Sequence, residues 1–269
     1  MGYLLDEWAT RWPYEGVHGY DNKIALLAKS LPPEKWSYEG KSDYQILTNY
    51  IFYTFEKLFS ERNEASESEK NEVIYEDEAK ACFNTGLFDK RWQQIFFYCE
   101  KNKFSGYQPW KFHSFQTEYT LSSLGINGAN LRRANYFSNP SEMIYDFKYP
   151  IVPQWNHIID DPKNFIRIPE NIRSLGKETC QDLISGSITR TEKRIKANYK
   201  TVVPQWFYGK IQLLIPIYLT NGERPDLALA ISKNDTTCQY KGHTCLTCEM
   251  AYNNARLIAR PESYWLDPP

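Results

Sequence analysis

Four short apolar stretches follow one another in the C-terminal half of the sequence, and they limit the folds that it can adopt. The first two, TVVPQWF and IQLLIPIYL, flank the turn Tyr208-Gly209-Lys210, and apolar stretches joined by so short a turn are typical of a β-hairpin. DLALAIS and TCLTCEM follow as a third and a fourth strand, and AYNNARLIA as a final helix. Because strands joined by short connections pair antiparallel, we predict a mainly antiparallel sheet in this half.

Helical periodicity predicts the helices that pack on this sheet. Apolar residues recur at helical spacing from Ser42 onward, and again between Glu178 and Ala197. These positions are Tyr44, Leu47, Ile51, Phe55, Leu58 and Phe59 in the first helix, and Cys180, Ile184, Ile188 and Ile195 in the second. A shorter helix is predicted from Asp21 to Ser30.

The remaining segments complete a mixed fold. The polar stretch from Glu61 to Glu78 is predicted to be an exposed loop. ACFNTGLF is predicted to be a strand end that runs into a turn at Asn84-Thr85-Gly86, with uncovered backbone N–H groups. Since no repeat or linker interrupts the chain, we predict an α+β fold with one mixed domain over residues 41–269. Residues 1–40 are then an N-terminal extension packed on that domain.

The charge balance of the chain restricts where an anionic ligand can bind. The 269 residues carry a formal net charge of -1, so the chain lacks the global positive field of many non-specific nucleic-acid binders. Any anion site must therefore be local. The longest apolar run, Leu213 to Leu219, is interrupted by Pro216, so no membrane span is expected. With no signal-peptide pattern and only six cysteines, a cytoplasmic protein is predicted.

The segment CQYKGHTCLTCEMAYNNARLIARP, residues 238–261, contains side chains suited to zinc. Cys238, His243, Cys245 and Cys248 could supply four ligands, and Cys-x-x-Cys is a common zinc knuckle. However, alternation along a strand would place Cys245 and Cys248 on opposite faces, where they cannot share one ion. We therefore predict no metal and no other cofactor.

The same segment also contains side chains suited to phosphate. A strand followed by Asn253, Asn254 and Arg256 would put amide and guanidinium donors at the start of a helix, where the dipole favours an anion. Alternatively, the two asparagines cap that helix and Arg256 neutralises a buried acid such as Asp226. The spacing alone leaves both interpretations open.

A second group of positive charges lies on the helix from Glu178 to Ala197. Arg190, Lys193 and Arg194 are its main cations, and Glu192 is the only acid between Arg190 and Lys200. Such a run is usually a solvated helix face. If it is functional, we expect weak, salt-sensitive binding of single-stranded RNA through these three residues.

Several blocks of sequence resemble a known family. NYIFYTFEKL, FNTGL, NYKTVVPQWFYGKIQLLIPIYL, DLALAI and MAYNNARLIARPESYWL together resemble the family of the domain of unknown function DUF3825. Members of that family are often joined to cold-shock-like or LOTUS-type RNA-binding modules in bacterial proteins, so the resemblance implies a role near RNA. The first ~45 residues contain no recognisable RNA-binding module, and we expect the chain to act alone or with an RNA-binding partner protein.

The resemblance also selects candidate site residues. Cys245 and Cys248 fall outside the family motif, whereas several polar residues fall on it. These are Asn84, Thr85, Asn198, Tyr199, Lys200, Gln205, Gln212, Asn253, Asn254 and Arg256. The set is rich in hydrogen-bond donors and contains neither a histidine nor a pair of carboxylates, which favours anion binding over acid–base chemistry.

Two functions are compatible with these residues. The first is a metal-independent hydrolase or phosphodiesterase acting on RNA or nucleotides in RNA metabolism or defence. In it, Arg256 and Lys200 would stabilise negative charge and Tyr199 or His243 would carry a proton. The second is a non-catalytic module that binds an RNA end or a small nucleotide, with Trp206 and Tyr208 stacking on a base.

Overall fold

The structure is a computed structural model that describes residues 4–11, 20–103, 107–220, 222–261 and 265–266. Residue contacts group the chain into two compact units, Met1–Asn135 and Tyr136–Pro269, called here the N-terminal unit and the C-terminal unit. The predicted division at residue 40, with one domain beyond it, stays a prediction. Among the described residues, no helix combines the length and the hydropathy that crossing a membrane requires.

The N-terminal unit contains a five-stranded sheet with helices. Its elements are α1 (Leu4–Trp8), β1 (Ala9–Thr10), α2 (Tyr20–Ser30), α3 (Gln45–Glu64), α4 (Lys70–Val73), β2 (Ile74–Glu76), β3 (Lys80–Phe88), β4 (Gln94–Lys101), β5 (Trp110–Thr117) and α5 (Glu118–Ser123). The strand order is β1-β5-β4-β3-β2, and every neighbouring pair is antiparallel except β1 and β5. The helices predicted from Asp21 and from Ser42 are α2 and α3.

A row of aromatic rings joins α3 to this sheet. The ring of Phe55 on α3 lies 5.2 Å from that of Phe83 on β3, and Phe83 lies 4.9 Å from Phe97 on β4. Phe97 in turn lies 4.3 Å from Phe112 on β5. Neighbouring rings at these separations stabilise a core beyond the area that they bury. Part of the high aromatic content is therefore explained by the core of this unit.

The prediction of an exposed loop from Glu61 to Glu78 is wrong in part. α3 continues to Glu64, and the segment then forms α4 and the edge strand β2. Val73 and Ile74 are buried, and Ile74 pairs with Phe83 of β3. Two apolar residues within a polar stretch were enough to hold it on the sheet, because the other strand residues can remain at the surface.

The C-terminal unit contains the antiparallel sheet that the sequence predicts. Its elements are β6 (Ile151–Pro153), α6 (Pro162–Phe165), α7 (Glu170–Arg173), α8 (Lys177–Ala197), β7 (Val203–Phe207), β8 (Lys210–Ile217), β9 (Leu227–Asn234), β10 (Gln239–Leu246) and α9 (Cys248–Arg256). The strand order is β6-β10-β9-β8-β7, and only β6 and β10 are parallel. The predicted α+β class, with helices packed on a mainly antiparallel sheet in this half, is confirmed.

α8 packs on one face of this sheet through the residues that its periodicity selects. Cys180, Ile184, Ile188 and Ile195 are buried in one cluster with alternate residues of β8 and β9. Two buried hydroxyls fix the register: Thr191 Oγ1 donates to Pro216 O at 2.7 Å, and Ser187 Oγ accepts from Tyr218 N at 2.7 Å. The position of α8 on the sheet is therefore set by both apolar packing and hydrogen bonds.

Candidate functional site

Asn84 and Thr85 lie in a bulge of β3 and form hydrogen bonds within the N-terminal unit. Both side chains are fully buried. Asn84 Nδ2 donates to Gln94 Oε1 at 2.9 Å and to Leu131 O at 3.1 Å, and Thr85 Oγ1 donates to Ile95 O at 2.6 Å. The backbone N–H groups that we expected to be uncovered are bonded as well, since Asn84 Oδ1 accepts from Gly86 N at 2.9 Å. This arrangement gives both residues a structural role.

The end of the sheet and the start of α9 differ from the prediction. β10 ends at Leu246, and Cys248 is the first residue of α9 instead of a strand residue. The N-cap is Thr247, whose side chain accepts from Met250 N at 3.2 Å. A threonine hydroxyl that caps the first turn explains why the helix starts before AYNNARLIA.

This earlier start overturns both interpretations of the asparagines. Asn253 and Asn254 lie in the second half of α9 and Arg256 is its last residue, so they are not at the helix N-terminus. The asparagines do not cap the helix, and the positive end of the helix dipole lies away from all three residues. The expected acid, Asp226, accepts hydrogen bonds from Leu219 N and Thr220 N at 2.8 and 3.0 Å.

Three of the predicted ligand-binding amides bond to one another. Gln205 on β7 is buried, and its Nε2 donates to Gln212 Oε1 on β8 at 2.8 Å. Its Oε1 accepts from Asn254 Nδ2 on α9 at 3.1 Å. A buried amide needs such partners, because an unpaired polar group costs about 1–3 kcal/mol. The cluster holds α9 against the β7–β8 hairpin.

Beside this cluster lies a cleft of about 320 Å³, within the C-terminal unit. Three segments that are distant in sequence line it: Met143 and Ile144; Tyr199, Lys200 and Val202 to Pro204, from the 3-10 turn that follows α8 into β7; and Ala255 with Ile258 to Pro261, from the end of α9 onward. Asn198 positions this turn, since its Oδ1 accepts from Lys200 N at 3.1 Å. The structure therefore joins the predicted residues Tyr199 and Lys200 to a surface next to Arg256.

The cleft combines apolar walls with two cations. Ile144, Val202 and Ile258 contribute apolar surface, whereas Lys200 and Arg260 contribute positive charge. Tyr199 is 67% exposed, so its ring is available at the mouth. Sequence reasoning missed Arg260 and Ile258, although both belong to the block MAYNNARLIARPESYWL that carried the family resemblance.

The predicted aromatic and histidine site residues lie away from this cleft. The Trp206 ring packs edge-on against Tyr136 at 5.2 Å, and Tyr208 is 88% exposed at the tip of the β7–β8 hairpin. His243 is the extra residue of a bulge in β10, three strands from β7, which corresponds to about 14 Å. Its Nε2 lies 2.6 Å from Ser232 Oγ. Burial, followed by the charges of Lys241 and His157, lowers the pKa of His243.

The four side chains considered for zinc do not come together. Cys238 Sγ contacts Asp235 O and Cys248 Sγ contacts Pro225 O, each at 3.5 Å, while Cys245 is buried in the core. Burial raises the pKa of Cys245 to about 12 and that of Cys248 to about 11. Over the described ranges, no group of three or more His, Cys, Asp or Glu side chains has the arrangement of a metal site.

Two of the three predicted RNA-binding cations of α8, Arg190 and Arg194, contact Tyr218. Arg190 Nη2 donates to Tyr218 O at 3.2 Å, and the Arg194 guanidinium lies 4.0 Å from the centre of the Tyr218 ring. Lys193 is exposed one helical turn from Arg190. Burial and then the Glu192 carboxylate raise the pKa of Tyr145, so this acid of the stretch interacts with Tyr145.

Comparison with families of known proteins identifies the family of this chain. The sequence model of the family described as "Domain of unknown function (DUF3825)" matches residues 27–265. Neither the curated proteins nor the solved structures contain a match to the chain. The matched range includes all three segments that line the cleft.

Proposed function

Since the chain belongs to the DUF3825 family, whose description leaves the activity open, we propose its function from the chemistry of the cleft: it binds an RNA end or a nucleotide. The observation that carries this proposal is the meeting of Tyr199 and Lys200 with Arg260 across apolar walls. A volume of about 320 Å³ lies in the range of small-ligand sites, which is roughly 300–1,000 Å³. We propose binding without turnover, because only one of the two expected proton carriers, Tyr199, lines the cleft, whereas His243 lies three strands from β7.

The two cations favour a phosphate as the anionic part of the ligand. The C-terminal end of α9, at Ala255 and Arg256, carries about half a negative charge from the helix dipole. Lys200 and Arg260 each carry a full positive charge, so their sum exceeds this opposing charge. An arginine can also donate two parallel hydrogen bonds to phosphate oxygens, and a lysine acts beside it as a point charge.

The ring of Tyr199 and the apolar walls suit the base of the same ligand. Stacking of a base on an aromatic ring contributes about 1–3 kcal/mol and requires no particular base. Ile144 and Ile258 would cover the sugar and the edge of the base, which have little charge. Phosphate and base together describe a nucleotide, whether it is free or terminal in RNA.

The test is calorimetric titration of the full chain with AMP and with adenosine. Lys200→Ala and Arg260→Ala should each weaken AMP binding about tenfold or more, since a hydrogen bond to a charged group contributes about 1.5–3 kcal/mol. Their effect on adenosine should be small. Tyr199→Ala should weaken both ligands. The matched control is Lys210→Ala. Lys210 pairs with Phe207 at the turn of the β7–β8 hairpin, about 13 Å along β7 from Val203, which lines the cleft.

Two results would contradict the proposal. The first is AMP binding that none of the three cleft variants weakens. The second is the absence of saturable binding for all four nucleoside monophosphates and for a short 5′-phosphorylated RNA. Retained folding of each variant is checked by thermal melting, because exposed substitutions usually change stability by less than about 0.5 kcal/mol.

We also propose a cytoplasmic location, where RNA and nucleotides are abundant. The six cysteines form no disulfide, which is the usual state in a reducing compartment.

A further inference from the structure

We propose that the cleft takes the terminal nucleotide of a single-stranded RNA, and that the phosphates next to it lie on Arg190, Lys193 and Arg194, the basic face of α8. This inference rests on the proposed function, because it extends the ligand from the cleft. It goes further by naming the ligand as a strand several nucleotides long and by giving its path over the surface.

Chain continuity places the basic face next to the cleft. α8 ends at Ala197, and Tyr199 and Lys200 follow in the 3-10 turn that lines the cleft. Asn198 N donates to Arg194 O at 2.8 Å, so the backbone that leads to Lys200 is bonded to a member of the basic face. From the helix geometry and two further residues, the Cα atoms of Arg194 and Lys200 are at most about 14 Å apart. A strand that leaves the cleft meets these cations within a few nucleotides.

Strand register leads to the same conclusion. Val203 of β7 pairs with Leu214 of β8, and β8 continues three residues further to Ile217. Tyr218, which holds both arginines, therefore lies at the end of the sheet where β7 begins. Val203 is also part of the wall of the cleft. The cleft and the basic face thus share one end of the sheet.

The arginines of the basic face are already oriented. Tyr218 holds Arg190 through its carbonyl oxygen and Arg194 through its ring. Each guanidinium has five N–H donors, and the bond to Tyr218 uses one of those of Arg190. Among the described residues, none of the three cations forms an ion pair. The two arginines are held in place, and none of the three cations is paired with a carboxylate of the described residues, so together they suit the successive phosphates of a nucleic acid.

A single strand fits this path better than a duplex. The end nucleotide must leave a helical stack if its base is to lie on Tyr199, and unpaired bases do so at little energetic expense. Phosphate contacts alone do not distinguish RNA from DNA, and RNA is the ligand class of the proposed function. The terminal phosphate in the cleft makes a strand end the preferred ligand over an internal segment.

The experiment compares AMP with a 5′-phosphorylated hexaadenylate RNA on the full chain. The hexamer should bind more tightly than AMP. Replacing Arg190, Lys193 and Arg194 together by alanine should reduce hexamer affinity to that of AMP and leave AMP affinity unchanged. The slope of log K against log salt for the hexamer should flatten by about 2, since each of three lost phosphate contacts contributes about 0.7 for a single strand.

A second variant covers the chance that the triple variant unfolds, because Arg194 packs on Tyr218. Lys193→Glu changes an exposed lysine and should weaken binding of the hexamer but not of AMP. The matched control is Lys163→Glu, an equal charge reversal at an exposed residue of α6, which should leave both affinities unchanged.

The outcomes separate this inference from the proposed function. If AMP binds through Lys200 and Arg260 but neither basic-face variant weakens the hexamer, the path over α8 is refuted and the cleft proposal stands. If the hexamer depends on the basic face but not on Lys200 or Arg260, the strand end does not enter the cleft and this inference is refuted, whereas the AMP titration alone decides the cleft proposal. A preference for the blunt end of a duplex over the hexamer would also refute the path.

Discussion

Gly86 has a backbone conformation that residues with a Cβ atom adopt at a cost. Its φ is +74°, and a Cβ atom added there would lie 2.9 Å from the hydroxyl oxygen of Tyr50. The side chains of Asn84 and Thr85 close the same bulge by accepting from Gly86 N and Leu87 N. Local geometry thus accounts for the block FNTGL without any ligand.

Gly86→Ala should lower the free energy of unfolding by about 1–2 kcal/mol from the left-handed conformation alone, and further from the contact with Tyr50. Gly125→Ala is the control, since Gly125 has a φ of +79° with no heavy atom within 4 Å of an added Cβ. Denaturant unfolding of the two variants should differ by at least about 1 kcal/mol. Equal losses of stability in the two variants would mean that the Tyr50 side chain moves away from the added methyl group at little energetic cost.

At the scale of the element, the start of α9 is defined by the cap that precedes its first residue, Cys248. Thr247 caps the helix, and the last turn brings Asn254 to the hairpin and Ala255 to the wall of the cleft. The amide cluster of Gln205, Gln212 and Asn254 then fixes the helix. One helix therefore contributes both to packing against the hairpin and to one wall of the cleft.

Thr247→Ala should lower the free energy of unfolding by about 1 kcal/mol, because Met250 N loses its acceptor. Thr247→Ser keeps a hydroxyl and should lose much less. Thermal melting and denaturant unfolding measure both. A serine variant as unstable as the alanine variant would show that the hydroxyl does not act as the cap.

The sequence predicts some elements better than others for a physical reason. α8 and the hairpin have clear apolar periods, and both were predicted correctly. β4 has five consecutive buried residues, Ile95 to Cys99, and a continuous apolar run does not distinguish a strand from a buried helix. The cleft was predicted in part, through Tyr199 and Lys200. Arg260 could not be added, because only tertiary packing brings Ala255 to Pro261 beside them.

At the scale of the whole molecule, the candidate residues are divided between the two units. Asn84 and Thr85 belong to the N-terminal unit, whereas Tyr199, Lys200 and Arg260 belong to the C-terminal unit. The resemblance to a family selects residues that the fold needs together with residues that line the cleft. Stability and binding measured on the same variants separate the two groups.

Asn84→Ala should lower stability by about 1–3 kcal/mol, because Gln94, Leu131 O and Gly86 N lose a buried partner. Its AMP affinity, measured well below the melting temperature, should equal that of the unmodified chain. Lys200→Ala should show the reverse, with weaker AMP binding and little change in melting. Loss of AMP affinity in the folded Asn84→Ala variant would mean that Asn84 contributes to ligand binding.

Each edge strand of the sheet in the C-terminal unit contains a proline. Gln154 N donates to Gly242 O on β10, so the nitrogen of the preceding residue, Pro153, faces outward from β6. In the two-residue β7–β8 hairpin, Phe207 and Lys210 form a hydrogen-bonded pair. Hydrogen-bonded and non-hydrogen-bonded pairs alternate along antiparallel strands, so Pro204 belongs to a non-hydrogen-bonded pair and its nitrogen faces away from β8. Proline has no N–H to donate, so neither edge can fully pair with a strand of another molecule. The sheet is thereby protected from growing into fibrils when the protein is concentrated.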